Sequence, residues 1–303
     1  MYDSKDPRAA LKAASKPAQG PFDAASVARF YAETPQESSA LCRTWCVRGQ
    51  NFIIGYSQCE AGAVLERQTQ PDEYMLLLPE RDTVVAVTAG GATQRMEGLS
   101  LVCVPPGASR VEVLNAGPVY RLISTQSADL AALCSNAGSY ATPHAVVAPL
   151  QAWPTPPGGL RLRRYSLDVP LVPGRFGRIF RCTTFMVNFL HAMEGQRDPT
   201  QLSPHHHDDF EQCSLAVSGA FTHHLRWPWT VNKLHWHEDA HEAVGAPSVC
   251  VIPPPSLHTS EATGPGTNQL VDIFSPPRMD FSLLPGWVLN ADDYPMPEGN
   301  ADA

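Results

Sequence analysis

The sequence predicts an all-β chain built from two strand-rich halves. Its 303 residues include 29 prolines and 21 glycines, and only 17% of them are charged. This balance favours many short strands joined by turns over long helices. Short apolar runs that end in Gly, Pro or Asn recur from 44 to 124 and again from 161 to 275. The proline-rich stretch APLQAWPTPPGG between them has the composition of a linker.

The chain is divided into five segments by this pattern. Residues 1–43 form an N-terminal arm with the helical patches PRAALKAASK and ASVARFYAET, and 44–124 form the first β domain. Residues 125–160 contain a helical turn, SADLAALCSNAG, and the linker. Residues 161–275 form the second β domain, and 276–303 are a C-terminal tail. Period-two and short continuous apolar runs predict the strands of both domains.

Charge and hydropathy exclude several classes of partner. The net charge of -8 argues against nucleic acid, because phosphate binding needs clustered Lys and Arg. The one basic run, RLRRY at 161–165, is short enough to be a solvated strand or linker face. No apolar stretch approaches the ~20 residues that span a bilayer, and the first residues lack the apolar core of a secretion signal. We expect a cytoplasmic protein with neither a nucleic-acid nor a membrane partner.

Eight cysteines are scattered along the chain without a C-x2-C pair, at positions 42, 46, 59, 103, 134, 182, 213 and 250. Most stand in apolar, strand-like contexts such as LSLVCVPPG. In a reducing compartment such thiols behave as small buried hydrophobes. We expect no disulfide framework and no structural zinc site.

The two halves resemble each other in one stretch. SLVCVPPGASRVEV (100–113) matches PSVCVIPPPSLHTSEA (247–262) in its apolar strand, its proline turn and the position three past that turn. This position is Arg110 in the first half and His258 in the second. An internal duplication explains the match economically.

Ten of the eleven histidines lie between His191 and His258. His205 and His207 are separated by one residue, so on an extended segment their imidazoles point to the same face and can converge on one ion. His258 supplies a third imidazole from a later strand. Such a set suits Fe, Mn, Ni, Co or Zn. His223, His224 and His235 are more typical of solvated or packed histidines.

With these residues the sequence resembles the cupin superfamily. HHHDDFEQCSLAVSG offers its first motif, with His205-x-His207, and PPPSLH (253–258) offers its second, with Pro255 where Gly is usual. The resemblance implies two double-stranded β-helix (jelly-roll) barrels, 44–124 and 161–275. It also implies one divalent transition metal (Fe, Ni, Mn or Zn), held in the second barrel only, and a homodimer, as is common among cupins.

The remaining ligand implied by the resemblance is either Glu211 or Gln212. Only Gln212 leaves six residues before Gly219, as the family motif requires, and it would face inward together with Ser214 and Ala216. Chemistry favours Glu211, because a carboxylate is the better metal ligand and the family normally has Glu. We favour Gln212 and keep Glu211 open.

The first half keeps the pattern of strands but not the ligands. Gln68 and Gln70 stand where the two histidines are expected, with Asp72 and Glu73 nearby, and Arg110 replaces the last histidine. Amides are weak ligands and a guanidinium has no lone pair to offer. We interpret this domain as structural, with anion binding by Arg110 as the alternative.

A rival metal motif is HWHEDAH, in which His237, Glu238 and His241 form the letters H-E-x-x-H. A zinc protease site needs a long helix around these letters. Pro228 upstream and Gly245 downstream leave little room for one, so the sequence favours the cupin site.

Two classes of function follow. An accessible metal in a barrel supports an enzyme acting on a small organic molecule, because three imidazoles and one amide leave two octahedral positions for substrate and oxygen. An oxygenase-type reaction is favoured over a sugar-acid isomerase or lyase. A non-catalytic module that binds a small molecule is the other class. The candidate substrate-pocket residues are His206, His223, Trp227 and Trp229, and the catalytic residues stay unknown.

Overall fold

The computed structural model describes residues 20–297, and in this range the chain is almost entirely strand and loop. Two short α-helices, Ala128–Leu133 and Met279–Leu283, and two 3-10 helices, Ala137–Tyr140 and Lys233–His235, are its helical elements. The predicted all-β class is confirmed. The helical turn expected in SADLAALCSNAG is the helix Ala128–Leu133.

Strands of two to eight residues alternate with turns throughout the described range. Those of the first half are β1 (Ser26–Arg29), β2 (Glu37–Ser38), β3 (Cys42–Arg48), β4 (Phe52–Cys59), β5 (Val64–Arg67), β6 (Tyr74–Leu78), β7 (Val84–Ala89), β8 (Ala92–Met96), β9 (Ser100–Val104), β10 (Ser109–Asn115) and β11 (Gly117–Ser124). Those of the second half are β12 (Arg163–Ser166), β13 (Gly177–Arg181), β14 (Met186–Leu190), β15 (Met193–Glu194), β16 (Gln212–Ser218), β17 (Ala220–Arg226), β18 (Ala240–Gly245), β19 (Ser248–Ile252), β20 (Leu257–Ala262) and β21 (Thr267–Phe274).

The strands pair into four antiparallel sheets, one large and one small in each half. The first large sheet has the order β12-β9-β6-β11-β4-β3-β2, and the first small sheet has the order β5-β10-β7-β8. The second large sheet has the order β1-β19-β16-β21-β14-β13, with β15 also on β21, and the second small sheet has the order β18-β17-β20.

Three groups of apolar contacts place these sheets in layers. One cluster joins the two large sheets, with Leu77 and Ile54 from the first and Leu215 and Val271 from the second. A second cluster fills the space between the sheets of the first half. Smaller clusters, such as that of Ala216, Phe221, Val244, Ala262 and Leu270, fill the space between the sheets of the second half.

The continuous apolar runs of the sequence are strands buried on both faces. In β6, Met75 and Leu77 enter the cluster between the large sheets, whereas Tyr74, Leu76 and Leu78 enter the core of the first half. Because successive side chains point to opposite faces, a strand between two layers has no solvated face and loses the polar alternation.

One strand of each half belongs to the large sheet of the other half. β1 pairs antiparallel with β19, so that Ser26 lies opposite Val251, and β12 pairs with β9, so that Arg163 lies opposite Cys103. The helical patch predicted in ASVARFYAET is therefore wrong, because pairing with the edge of β19 outweighs the local helical preference. The other predicted patch, PRAALKAASK, lies outside the described residues.

The buried Glu73 carboxylate connects three segments that are distant in sequence through hydrogen bonds. Its Oε1 accepts a hydrogen bond from the Tyr294 hydroxyl (2.7 Å), and its Oε2 accepts bonds from the backbone N–H and the hydroxyl of Thr183 (both 3.0 Å). Glu73 and Tyr294 are each 1% exposed. The C-terminal segment is thus fixed by hydrogen bonds to the first half.

The Glu73 carboxyl predicts a pH dependence of stability. Burial raises the pKa of Glu73 above its ordinary value of 4.5. A group whose pKa is higher in the folded state binds more protons there, so its contribution to the free energy of unfolding falls as pH rises above 4.5. We expect Glu73→Gln to flatten this fall in urea unfolding measured between that pH and neutrality. Parallel pH profiles of wild type and variant would contradict the assignment.

The described cysteines are all free thiols, and seven of the eight are buried. This agrees with the expected small buried hydrophobes. Among residues 20–297, no helix has both the length and the apolar character needed to cross a membrane.

Candidate metal centre

Three buried imidazoles converge in the second half. His205, His207 and His258 are 7%, 6% and 2% exposed. One ring nitrogen from each lies within 4.8 Å of the others. His205 and His258 exchange two backbone hydrogen bonds, of 2.9 and 2.7 Å, in an isolated antiparallel bridge. This bridge brings the segment before β16 and the start of β20 together, so the three rings belong to one site.

Backbone carbonyls fix the tautomers of two of these rings. The Nδ1 of His205 lies 2.9 Å from the carbonyl oxygen of Ser203, and the Nδ1 of His258 lies 2.9 Å from that of Ser256. A carbonyl only accepts, so each Nδ1 carries the proton and each Nε2 carries the lone pair. Metal-binding histidines are oriented in this way by their second nitrogen.

Gln212 lies among the imidazoles. Its Oε1 lies 2.9 Å from the Nε2 of His207 and 3.4 Å from the Nε2 of His258. Its Nε2 donates to the hydroxyl of Ser214 (2.9 Å) and to the Asp272 carboxylate (3.1 Å). A carboxylate oxygen accepts hydrogen bonds and does not donate them, so the amide nitrogen of Gln212 faces Asp272. The amide oxygen is thereby held toward the histidines.

Glu211 points away from this site. Its Oε2 accepts from the backbone N–H of Gln50 (2.6 Å) and its Oε1 from the hydroxyl of Tyr140 (2.9 Å). His144 Nδ1 lies 3.3 Å from the same Oε1, and this contact with Glu211 raises the pKa of His144. The structure thus separates the two candidates for the fourth ligand: the Gln212 oxygen faces the histidines, and the Glu211 carboxylate faces the linker.

The environment of His207 favours the neutral form of its ring. Burial, together with the nearby charge of Arg278, lowers the pKa of His207 well below its ordinary range. A neutral imidazole is the form that binds a cation, since a protonated ring has no lone pair. The donor set of three imidazoles and one amide oxygen fits a divalent transition metal.

The predicted substrate-pocket residues are divided between two places. His206, Trp227 and Trp229 line a surface groove of about 1280 Å³. Trp227 is buried and donates its indole N–H to the carbonyl of Asp23 (2.9 Å), whereas Trp229 is 75% exposed and stacks on Trp236. Trp227 is therefore packed against the N-terminal segment, as a barrel-end tryptophan would be.

His223 is buried in the second small sheet, apart from the groove. Its Nδ1 lies 2.8 Å from the hydroxyl of Ser260, and burial lowers its pKa to about 3. Its Nε2 has no hydrogen-bond partner among residues 20–297. His223 is a neutral ring whose strand partner, Ser260, lines an internal cavity.

That cavity, of about 100 Å³, adjoins the imidazoles and was not predicted from the sequence. Its walls include His205, Gln212, Asp272, Arg197 and His191, and the remaining lining is a mixture of polar and apolar side chains. Asp272 could have been found from the sequence, because it is a lone carboxylate in the apolar run NQLVDIF. Arg197 lies in the loop between β15 and the histidines. The sequence of this loop has no periodicity that would indicate the direction of the Arg197 side chain.

The H-E-x-x-H letters do not lie on a helix. Lys233–His235 form one 3-10 turn and Ala240–Gly245 form β18. The Nε2 of His237 bonds to the carbonyl of Phe22 (3.0 Å), whereas His241 lies on the surface against His224. The two motif histidines therefore do not share a helical face, and the zinc-protease alternative is excluded.

The first half has other residues at the corresponding positions. Ser109, not Arg110, is the buried residue at the start of β10, and its hydroxyl lies 3.0 Å from that of Tyr74. Arg110 lies at the surface and pairs with Glu66 (2.8 Å) and Glu112 (3.2 Å). Four residues separate the strands on either side of the proline turn in both halves, but the buried residue is the first of β10 and the second of β20, so the sequence match falls one position and one face away from the buried residue.

Known proteins were compared with this chain. A scan against protein-family models finds no match, and a search of curated proteins finds no significant one. The oxalate decarboxylase of Lactobacillus farciminis, as a formate complex, gives a TM-score of 0.55 at 12% identity, over 83% of this chain and 86% of that one. AerE from Microcystis aeruginosa gives 0.54 at 9% identity, over 80% and 97%. A variant of the Bacillus subtilis oxalate decarboxylase gives 0.53 at 13% identity, over 82% and 76%.

Proposed function

Because the protein has the cupin fold, we propose that it is a metal-dependent enzyme acting on a small organic molecule. The single observation that carries the proposal is the convergence of the three buried imidazoles of His205, His207 and His258. These rings and the Oε1 of Gln212 would hold one divalent ion, Fe, Mn, Ni or Zn. Glu211 is left out, since its carboxylate is committed elsewhere.

We further propose that each half closes into one jelly-roll barrel, 44–124 and 161–275, with 1–43 as an arm, 125–160 as a linker and 276–303 as a tail. Separate apolar cores between the large and small sheet of each half support this division. The exchanged strands β1 and β12 would fasten the barrels to each other. The homodimer and the cytoplasmic location stay predictions. Light scattering on the purified protein measures its oligomeric state.

The residues around the site have distinct tasks in this proposal. Asp272 and Ser214 hold the Gln212 amide so that its oxygen faces the ion. The buried rings of Phe210 and Phe274, which contact His207, keep water from the inner side. When bound, Fe(II) in such a site supplies the capacity to activate dioxygen. This favours an oxygenase-type reaction over a sugar-acid isomerase or lyase.

We propose that the cavity of about 100 Å³ receives the substrate, and that the substrate is a small anion such as a carboxylate. The Arg197 guanidinium at its wall, which also donates to the carbonyls of Gln201 and Ser260 and to the hydroxyl of Ser203, supplies positive charge for a carboxylate. His191 would be a neutral neighbour, because burial and the charge of Arg178 lower its pKa. A cavity of this volume favours a small substrate over a large one.

Oxygen uptake tests the reaction. Anaerobically reconstituted Fe(II) protein is mixed with pools of aromatic, diketone and sugar-acid compounds, and oxygen is then admitted. We expect oxygen consumption coupled to loss of a small acidic compound. Turnover without oxygen uptake would favour the isomerase or lyase, and tight ligand retention without turnover would favour the binding module.

Arg197→Gln separates the substrate proposal from the metal proposal. The variant should keep its metal and lose about 100-fold in turnover of the acid, because a charge-assisted contact contributes about 1.5–3 kcal/mol. Metal analysis and steady-state kinetics on the same sample measure both. Unchanged kinetics in the metal-loaded variant would contradict the role of Arg197.

A further inference from the structure

Two cysteines face each other across the hairpin of β3 and β4. Cys42 lies directly opposite Cys59 in the strand register, so both side chains point to the same face of the sheet. Cys59 is 1% exposed, and Cys42 is partly exposed near the end of the hairpin. Both are free thiols.

The hydrogen-bond ladder shows how close these thiols lie. The backbone bonds Gly49 N–H to Phe52 (2.9 Å) and Glu60 N–H to Leu41 (2.8 Å) mark hydrogen-bonded pairs at the two ends of the hairpin. Because the two kinds of pair alternate, counting from either end makes Cys42–Cys59 a non-hydrogen-bonded pair. Such pairs have Cα atoms about 4.5 Å apart, within the range of about 4.4–6.8 Å found in disulfides.

A second pair of the same kind confirms that side chains touch on this face. Thr44 lies opposite Ser57, two residues along each strand, and their hydroxyl oxygens are 2.8 Å apart. The same face of the same ladder thus already brings one pair of short side chains into contact. A bond between the two sulfurs needs no movement of the strands.

We propose that Cys42 and Cys59 are an oxidant-reactive dithiol, in which Cys42 reacts with a peroxide and Cys59 then closes the disulfide. The pair lies in the first half, away from the histidines, and is independent of the metal proposal.

The chemical environment assigns the two roles. A hydrogen bond from the Cys59 thiol lowers the pKa of Cys42 to about 7, against the effect of burial, and the hydroxyl of Thr44 acts in the same direction. The same contact, with burial, raises the pKa of Cys59. Cys42 is therefore the accessible thiolate and the attacking nucleophile. Cys59 keeps its proton until Cys42 has reacted.

The reaction balances with one peroxide. The Cys42 thiolate attacks one peroxide oxygen, the O–O bond breaks, and the released hydroxide takes a proton to become water, leaving a sulfenic acid on Cys42. The Cys59 sulfur then attacks the Cys42 sulfur, the S–O bond breaks, and the second oxygen leaves as water with the Cys59 proton. Two thiols are oxidised and one hydrogen peroxide is reduced to two waters.

Cys46 provides a matched control on the same strand and face. It lies opposite Gly55 and therefore has no thiol across the ladder. Burial raises its pKa to about 11. Peroxide should leave Cys46 unmodified under conditions that oxidise Cys42.

Peptide mapping reads the outcome directly. Trypsin cuts after Arg29, Arg43, Arg48 and Arg67, so the three cysteines leave on separate peptides, 30–43, 44–48 and 49–67. The folded full-length protein is treated with hydrogen peroxide, blocked with N-ethylmaleimide and digested. We expect peptide 30–43 joined to 49–67, reversed by dithiothreitol, and alkylation of Cys42 at least about tenfold faster than of Cys46.

Three variants complete the test, each checked for folding by circular dichroism. Cys59→Ala should yield a sulfenic acid on Cys42 that dimedone traps, formed more slowly than in wild type because the hydrogen bond from Cys59 is lost, and Cys42→Ala should leave Cys59 unoxidised. Cys46→Ala should form the linked peptide as wild type does. Absence of the linked peptide from oxidised wild type, or equal alkylation rates for Cys42 and Cys46, would overturn the proposal.

Discussion

His258→Ala is expected to remove stoichiometric metal from the purified protein and to weaken the binding of a divalent ion at least about 100-fold. The substitution deletes one of three imidazoles whose nitrogens lie within 4.8 Å of one another. Two imidazoles and one amide then remain, and a neutral amide is a weak ligand. Metal-to-protein ratios from plasma mass spectrometry, and titration of the metal-free protein with Fe(II) or Zn(II), measure the loss.

Arg110→Ala is the matched control from the first half. Arg110 pairs with Glu66 and Glu112 at the surface, so its removal should leave the metal ratio unchanged. Full metal retention by the His258 variant would contradict the assignment of this residue. Thermal unfolding of the metal-free variants distinguishes loss of a ligand from loss of the fold.

Glu211→Leu is expected to lower the free energy of unfolding by about 3 kcal/mol, roughly a 100-fold change in the folding equilibrium. It leaves the backbone N–H of Gln50 and the hydroxyl of Tyr140 without their buried acceptor. The metal ratio should stay near that of wild type, since the carboxylate faces away from the histidines. Urea unfolding and metal analysis on one preparation give both values.

Gln212→Leu should show the opposite pattern. It removes the oxygen that lies 2.9 Å from His207, so metal affinity should fall about tenfold or more while much of the stability is kept. Glu211→Gln, which retains an acceptor, should restore part of the stability lost in Glu211→Leu. A larger metal loss in the Glu211 variants than in Gln212→Leu would reverse the choice of ligand.

The histidine cluster could be predicted because its geometry follows from local rules. Period-two alternation places His205 and His207 on one face, and the repeated proline turn marks His258. The same alternation, counted back from Gly219, directs Gln212 inward with Ser214. Each of these inferences needs only a few neighbouring residues.

Features that depend on distant pairing could not be predicted in this way. The strand Ser26–Arg29 exists because β19 offers an edge more than 200 residues away along the chain. Arg197 belongs to a loop, where no period fixes the direction of a side chain. The buried residue is the first of β10 but the second of β20, so the sequence match pointed to Arg110 at the surface and not to the buried Ser109.

Anomalous diffraction at the absorption edge of the bound metal, on crystals of the reconstituted protein, locates the ion and its ligands directly. We expect one peak per chain, with the Nε2 atoms of His205, His207 and His258 and the Oε1 of Gln212 each about 2.0–2.2 Å from it. A peak instead at the surface cluster of His224, His241 and Glu261, or no peak in the second half, would contradict it.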